Sequence, residues 1–85
     1  MNETAMLKQA IGAMLMTGAI EFEAFSWCFG FVDMKVRTKI FTDEEFVMSV
    51  KEDDWNDGPA ASVADQLTEL VMGGEIAFRP VQEQH

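Results

Sequence analysis

The first seventeen residues show the hydrophobic spacing of a helix. Four apolar side chains recur at i, i+4, i+7 and i+8, namely Leu7, Ile11, Met14 and Leu15. Gly18 follows them as a helix stop, so the pattern predicts a helix over residues 3–17. The apolar stripe is widened by Met6, Ala10, Ala13 and Met16. A helix as apolar as this needs cover on more than one side.

From Ile20 the apolar period changes to two, which is the period of a β-strand. In residues 20–28 one face carries Ile20, Phe22, Ala24, Ser26 and Cys28, and the other carries Glu21, Glu23, Phe25 and Trp27. Residues 34–40 alternate in the same way between apolar or small side chains and the basic Lys35, Arg37 and Lys39. The pair predicts an antiparallel hairpin that turns at Gly30.

One register of this hairpin satisfies both faces at once. On the charged face it places Glu21 opposite Lys39 and Glu23 opposite Arg37, and on the apolar face it places Ile20 opposite Ile40 and Ala24 opposite Val36. A slip of one residue would turn the charged face toward the core. This agreement makes the register the sharpest local prediction from the pattern.

Residues 42–45, TDEE, either open a helix as a capping box or turn into a third strand. The Phe and Val residues that follow favour a strand over residues 46–51, with Phe46, Met48 and Val50 facing inward. The next stretch, EDDWNDG, has the composition of a loop. The pattern therefore predicts a third strand of the sheet over residues 46–51, and a helix within residues 43–52 is the alternative.

A second helix follows this loop. It begins at Pro59, or slightly later if Ser62 and Asp65 cap it, and its buried stripe ends at Gly73-Gly74. A last short strand is predicted over residues 75–79, with Ile76 and Phe78 inward. The whole chain therefore predicts a single α+β domain over residues 1–85. Its order is α-β-β-β-α-β, with an antiparallel sheet of three to four strands and two helices on one face.

The charge of the chain limits its partners. Fifteen acidic residues against six basic ones leave a net charge of −9. Such a surface repels nucleic acid and anionic membranes and favours proteins with basic surfaces. The start, MNETAMLK, lacks the basic region of a signal peptide, and we expect a cytoplasmic protein.

Few residues of the chain are suited to catalysis or metal binding. One cysteine, Cys28, and one histidine, His85, supply neither a disulfide nor a zinc site within one chain. The acidic run DDWNDG matches an EF-hand loop only in part, because Trp55 and Ala64 occupy ligand positions. No nucleophile–histidine pair and no glycine-rich phosphate loop is present. We therefore expect no enzyme activity, no cofactor and no bound metal.

Residues 43–57 concentrate the negative charge, with seven acidic residues against Lys51, a net charge of −6. This segment is either a solvated surface or a docking surface for a basic partner. The residues of the candidate docking surface are Glu44, Glu45, Glu52, Asp53, Asp54, Trp55 and Asp57. Trp55 is its apolar anchor, or else the ring folds back over the edge of the core.

A second candidate surface combines the charged face of the hairpin with the first helix. Phe25 and Trp27 are too large and apolar for a solvated sheet face, so something is expected to cover them. A second copy of the chain is one possible cover, which predicts a homodimer interface that includes Phe25, Trp27, Met6 and Met16.

These observations predict a small acidic protein-interaction module. In size and charge alone it is similar to phage-encoded inhibitors of host nucleases, anti-CRISPR proteins and DNA mimics, which occupy basic, nucleic-acid-binding surfaces of other proteins. No motif in the chain matches a family. The alternative is an obligate homodimer or assembly subunit whose acidity is only solubilising.

Overall fold

A computed structural model describes residues 2–80 as three helices and a three-stranded antiparallel sheet. The helices are α1 (Glu3–Thr17), α2 (Glu52–Asp57) and α3 (Pro59–Met72). The strands are β1 (Ile20–Cys28), β2 (Phe31–Thr38) and β3 (Glu45–Lys51). Their order in the sheet is β1-β2-β3, so β2 is central and the other two are edge strands. The predicted α+β class with an antiparallel sheet is confirmed.

The core lies between one face of the sheet and the two long helices. α1 packs against α3 and β1, while α3 also contacts β3. The buried apolar residues are Ile11, Ile20, Val32, Met34, Val36, Phe41, Met48, Val50, Val63, Ala64, Leu67 and Ile76. The inward residues predicted for β3 are confirmed, since Met48 and Val50 are buried and Phe46 packs against the core.

Both long helices begin and end where local chemistry places them. The Asn2 side chain accepts a hydrogen bond from the Ala5 N–H at 2.8 Å, and Gly18 ends α1 in the left-handed region with φ of 83°. α3 begins at Pro59, whose missing N–H costs nothing in a first turn. Ser62 is a buried helical residue, so the later start is wrong.

The predicted register of the hairpin is wrong by two residues, although its faces over residues 20–24 are right. Ile20 lies opposite Thr38, Glu21 opposite Arg37 and Glu23 opposite Lys35. The turn uses two residues, Phe29 and Gly30, both with positive φ, as in a type I′ turn. An irregularity between Ala24 and Ser26 leaves Phe25 as one extra residue in β1, a β-bulge.

The end of β2 explains why Ile40 does not pair with Ile20. The Thr38 hydroxyl donates to the Ala19 carbonyl at 2.8 Å and accepts from the Ile40 N–H at 3.1 Å. This side chain ties the α1–β1 corner to the last residue of β2 and turns the chain out of the sheet. Glu23 still reaches Arg37 diagonally, with 3.5 Å between the carboxylate and guanidinium.

Two other elements differ from the prediction. The stretch predicted as a loop forms α2, whose first turn carries Glu52, Asp53 and Asp54, where negative charge suits the helix dipole. The strand predicted over residues 75–79 is reduced to one isolated bridge between Phe41 and Phe78. Thr42 N–H donates to Ala77 C=O at 2.9 Å on one side of this bridge, and the chain does not stay extended beside the sheet.

Candidate functional site

Strand β3 divides the acidic segment of residues 43–57 into two groups. Glu44 and Glu45 lie where β3 begins, and the acidic residues of α2 follow its end, six residue steps or about 20 Å away. Glu44 bonds Arg79 at 2.8 Å, and Glu45 lies 3.6 Å from the Lys35 ammonium. The residues predicted to form one docking surface are therefore not all adjacent.

The group at the far end of β3 is here called the acidic helix, and its residues are Glu52, Asp53, Asp54 and Asp57 of α2. All four are exposed. Trp55, in the same helix, is half-buried, and its ring meets the Phe22 ring edge-on with centroids 5.9 Å apart. Of the two interpretations of Trp55, the structure describes the one in which the ring folds back over the core. A further contact between Trp55 and a partner stays a prediction.

Four exposed aromatic residues lie in the turn between β1 and β2 and in the adjoining ends of these strands, and they are here called the aromatic tip. Phe25 and Trp27 are each 55% exposed, Phe31 is 46% exposed and Phe29 is 95% exposed. Phe29 also has φ of 56°, a left-handed conformation that bulky side chains rarely adopt. A strained, solvent-exposed phenylalanine adds nothing to the core, so the tip is the most conspicuous apolar feature of the described surface.

The alternation of residues 20–28 predicts only half of this tip. It places Phe25 and Trp27 on a shared face, but it does not distinguish Phe29 and Phe31 as exposed residues. The available signal is the run FSWCFGF, in which an aromatic residue occupies every second position up to and beyond Gly30. Such spacing at a hairpin turn gathers aromatic side chains at one end of the sheet.

The bulge separates Phe25 and Trp27, so the shared charged face predicted for them is wrong. After the bulge Ser26 lies opposite Asp33, and Trp27 lies opposite the buried Val32. Because directly opposite residues of antiparallel strands share a face, Trp27 is on the core side of the sheet, beyond the cover of the helices. Both rings are exposed in the single chain, and their cover by a second copy stays a prediction.

A backbone hydrogen bond joins the aromatic tip to the acidic helix. The Glu52 N–H donates to the Gly30 carbonyl at 2.8 Å, and Phe31 lies directly opposite Lys51, the residue before α2. The turn and the first turn of α2 are thus adjacent. This end of the molecule presents apolar rings next to four carboxylates, a combination suited to a partner with apolar and basic side chains.

An open groove of about 830 Å³ runs beside the free edge of β3, and is here called the β3 groove. Its walls come from β3, α2, α3 and the start of α1, and they include Ser49, Val50, Lys51, Asp54, Asp57, Ala61, Asp65 and Glu69. Lys8 also lines it and is bonded to Asp65 at 2.6 Å. The groove therefore leaves part of the β3 edge open to another chain.

Met6 and Met16 of α1 are both exposed. They stand ten residues apart, about 15 Å along the helix axis, so they do not form one patch with each other. An interface that joins them to Phe25 and Trp27 stays a prediction.

Within residues 2–80, no three His, Cys, Asp or Glu side chains converge as a metal site. His85 lies outside the described residues. None of the helices in that range has the length and apolar character needed to cross a membrane. Comparison with protein-family models, curated proteins and solved structures finds no match for this chain.

Proposed function

We propose that this chain is a small acidic interaction module of the cytoplasm that docks on a basic surface of another protein. The basic surface belongs to a nucleic-acid-binding partner, and occupying it inhibits or regulates that partner. Phage-encoded inhibitors of host nucleases, anti-CRISPR proteins and DNA mimics act in this way, and the likeness to them is one of size and charge. The main support is the hydrogen bond that holds the acidic helix beside the aromatic tip.

The acidic helix supplies the long-range part of recognition. Four exposed carboxylates on one short helix attract a basic surface over about a Debye length, roughly 8 Å at physiological salt. They add to a chain that already carries −9. This attraction raises the rate of encounter with basic proteins, but it does not by itself select one of them.

The aromatic tip supplies the short-range part. Burying an exposed aromatic ring removes apolar area from water, and binding hot spots are enriched in large rings surrounded by polar groups. Phe29 is almost fully exposed and lies at the apex of a turn, so it can enter a pocket without rearrangement of the sheet. We assign the role of apolar anchor, expected from sequence at Trp55, mainly to Phe29 and Phe31.

The same geometry argues against two other ligands. Exposed aromatic rings can stack on nucleic-acid bases, but the four carboxylates beside them would repel the phosphates. Aromatic residues also enter membrane interfaces, yet the acidic helix would be held against the negative headgroups of an anionic bilayer. A protein with a basic surface satisfies both features.

The proposal is tested by capturing partners on the immobilised chain from a lysate of its native host, and then measuring each captured protein by surface plasmon resonance. The triple variant D53N/D54N/D57N should lower the association rate and flatten its dependence on salt. The matched control is E21Q/D43N/E75Q, which removes the same charge from exposed acidic residues away from the acidic helix and the tip.

The double variant F29S/F31S should raise the dissociation rate by on the order of tenfold or more, since it removes the anchor. The control Val47→Ser removes an exposed apolar residue from the middle of β3 and should have little effect on that rate. The proposal fails if partners bind both multiple variants as tightly as the unaltered chain. Direct binding of an oligonucleotide by the purified chain would also contradict it.

A further inference from the structure

Within residues 2–80, no backbone group pairs with the outer edge of β3, which presents a row of N–H and C=O groups. Two hydrogen bonds of 2.8 Å bracket the strand on its inner side, from Thr38 N–H to Glu44 C=O and from Glu52 N–H to Gly30 C=O. Hydrogen-bonded pairs in an antiparallel ladder recur every second residue, so the even-numbered residues of β3 bond β2. The N–H and C=O groups of the odd-numbered residues, Glu45, Val47, Ser49 and Lys51, therefore point outward.

This edge has few of the features that usually protect an edge strand. β3 reads EFVMSVK, with no proline, and its pairing with β2 is continuous, without a bulge. Charged residues stand only at its two ends. β1, the other edge, is interrupted by the bulge at Phe25 and carries Glu21 and Glu23. An unprotected, apolar edge of seven residues is a template for another strand.

We propose that the occupant of this edge is β3 of a second copy of the chain, paired antiparallel about Met48. In this register Glu45 of each copy lies opposite Lys51 of the other, and Val47 lies opposite Ser49. All four pairs join residues whose backbone groups point outward, so the ladder is complete. A shift of two residues would place Glu45 opposite Ser49 and lose both charge pairs.

The core face is also complementary in this register. Phe46 of one copy lies opposite Val50 of the other, and the two Met48 side chains meet on the two-fold axis, which continues the apolar face across six strands. The β3 groove lies beside Ser49, Val50 and Lys51. The Glu45–Phe46 end of the second copy enters the groove at this point. The groove separates this half of the β3 edge from α3, so α3 does not block the second strand.

The size and charge of the contact set its strength. Pairing two seven-residue strands buries less than a standard interface of about 1,600 Å², and each chain carries −9. We therefore expect a dimer in the micromolar range or weaker. Lys51 lines the groove together with Asp54 and Asp57, and in this register it is the basic residue directly opposite Glu45 of the second copy.

Charge-reversal variants test both the occupant and the register. In a homodimer of Glu45→Lys, both of these charge pairs become lysine opposite lysine. In a homodimer of Lys51→Glu, both become glutamate opposite glutamate. Each single variant should dimerise on the order of tenfold more weakly than the unaltered chain by analytical ultracentrifugation. A one-to-one mixture of the two should form a heterodimer, because both of its pairs are again of opposite charge.

Val47→Pro gives an independent check. It removes an outward N–H and leaves the bonds between β3 and β2 intact, so dimerisation should be lost while circular dichroism is unchanged. Lys35→Gln is the control for Glu45→Lys, which also loses the 3.6 Å contact to Lys35. A chain that stays monomeric at millimolar concentration, a mixture that forms no heterodimer, or a dimer unaffected by Val47→Pro would each overturn the proposal. Binding of a partner's peptide along β3 by a monomeric chain would also overturn it.

Discussion

Phe29 occupies a backbone conformation that its side chain disfavours. Its φ of 56° lies in the left-handed region, where Asn and Gly are the preferred residues of a type I′ turn. The ring is almost fully exposed, so packing within the chain does not compensate for the strain. A residue that is unfavourable for folding and lies outside the core supports the binding role proposed for it.

Replacing Phe29 by Asn should therefore stabilise the fold while weakening the proposed function. We expect the free energy of unfolding to rise by about 0.5–1 kcal/mol, because Asn-Gly is a favoured pair for this turn. Urea denaturation followed by circular dichroism measures the change. Phe31→Asn is the control, since Phe31 lies in β2 without a positive φ and should give no gain. Destabilisation by Phe29→Asn would contradict the account of strain at the turn.

At the scale of elements, α2 contacts α3, β3 and β2, and Trp55 is its one half-buried side chain. The helix has six residues, no side-chain cap, and no buried residue, yet its Trp55 ring packs edge-on against Phe22 of β1. Because an isolated helix of this length is not stable in water, the acidic helix depends on tertiary contacts, and the contact of Trp55 with Phe22 is the one that joins it to β1. The position of the four carboxylates thus depends on Trp55.

Trp55→Ala should lower the free energy of unfolding by about 2 kcal/mol, and Trp55→Phe by much less, because a smaller ring keeps part of the contact. Amide hydrogen exchange should show the loss of protection concentrated in residues 52–57. A variant that keeps the full stability and exchange protection of the unaltered chain would show that Trp55 does not hold α2, and would return it to the role of an exposed anchor.

The sequence predicted the long periodic elements and missed those defined by a few residues. α1 repeats its apolar spacing through Leu15 before Gly18, which fixes the type of the element and its end. α2 is too short to show a period, and it forms through tertiary contacts, the one with Phe22 among them, that no local pattern contains. The hairpin register depends on a two-residue turn and on one extra residue at Phe25, and alternation alone predicts neither.

The same distinction applies to the candidate site. The acidic composition of residues 43–57 was visible in the sequence, but its division by β3 was not, because the choice between helix and strand there was open. Aromatic spacing around Gly30 was also visible. What the sequence could not supply is the hydrogen bond between Glu52 and Gly30, which brings residues 22 positions apart together.

At the scale of the whole molecule, Phe41 joins the last described residues to the sheet. It is fully buried, lies 5.1 Å from the Phe78 ring and 6.2 Å from the Phe46 ring, and pairs with Phe78 in the isolated bridge. Next to this bridge, the Arg79 N–H donates a hydrogen bond to the Ile40 C=O at 2.6 Å. Phe41 follows the end of β2 in a segment without periodicity, so the hydrophobic pattern does not predict that it is buried.

Phe41→Ala should lower the free energy of unfolding by about 4 kcal/mol, which is a large part of the stability expected for a domain of 85 residues. Phe41→Leu keeps more of the volume and should cost roughly 1–2 kcal/mol, which keeps the measurement possible if the alanine variant does not fold. Phe78→Ala removes a partly exposed ring and should cost less than Phe41→Ala in thermal or urea unfolding. Equal losses at the two positions would contradict this ranking.

The bulge at Phe25 makes β1 one residue longer than its pairing with β2 requires, so the effect of losing a codon depends on its position in β1. Loss of the codon for Phe25 leaves Ala24 opposite Met34 and Ser26 opposite Asp33, so every existing pair survives. Loss of the codon for Glu23 instead places Phe25 opposite the buried Met34 and turns Ala24 outward. An in-frame deletion within a strand normally prevents folding. We expect the deletion of Phe25 to be tolerated and the deletion of Glu23 to prevent folding. The yield of folded protein from the two deletion variants measures this difference.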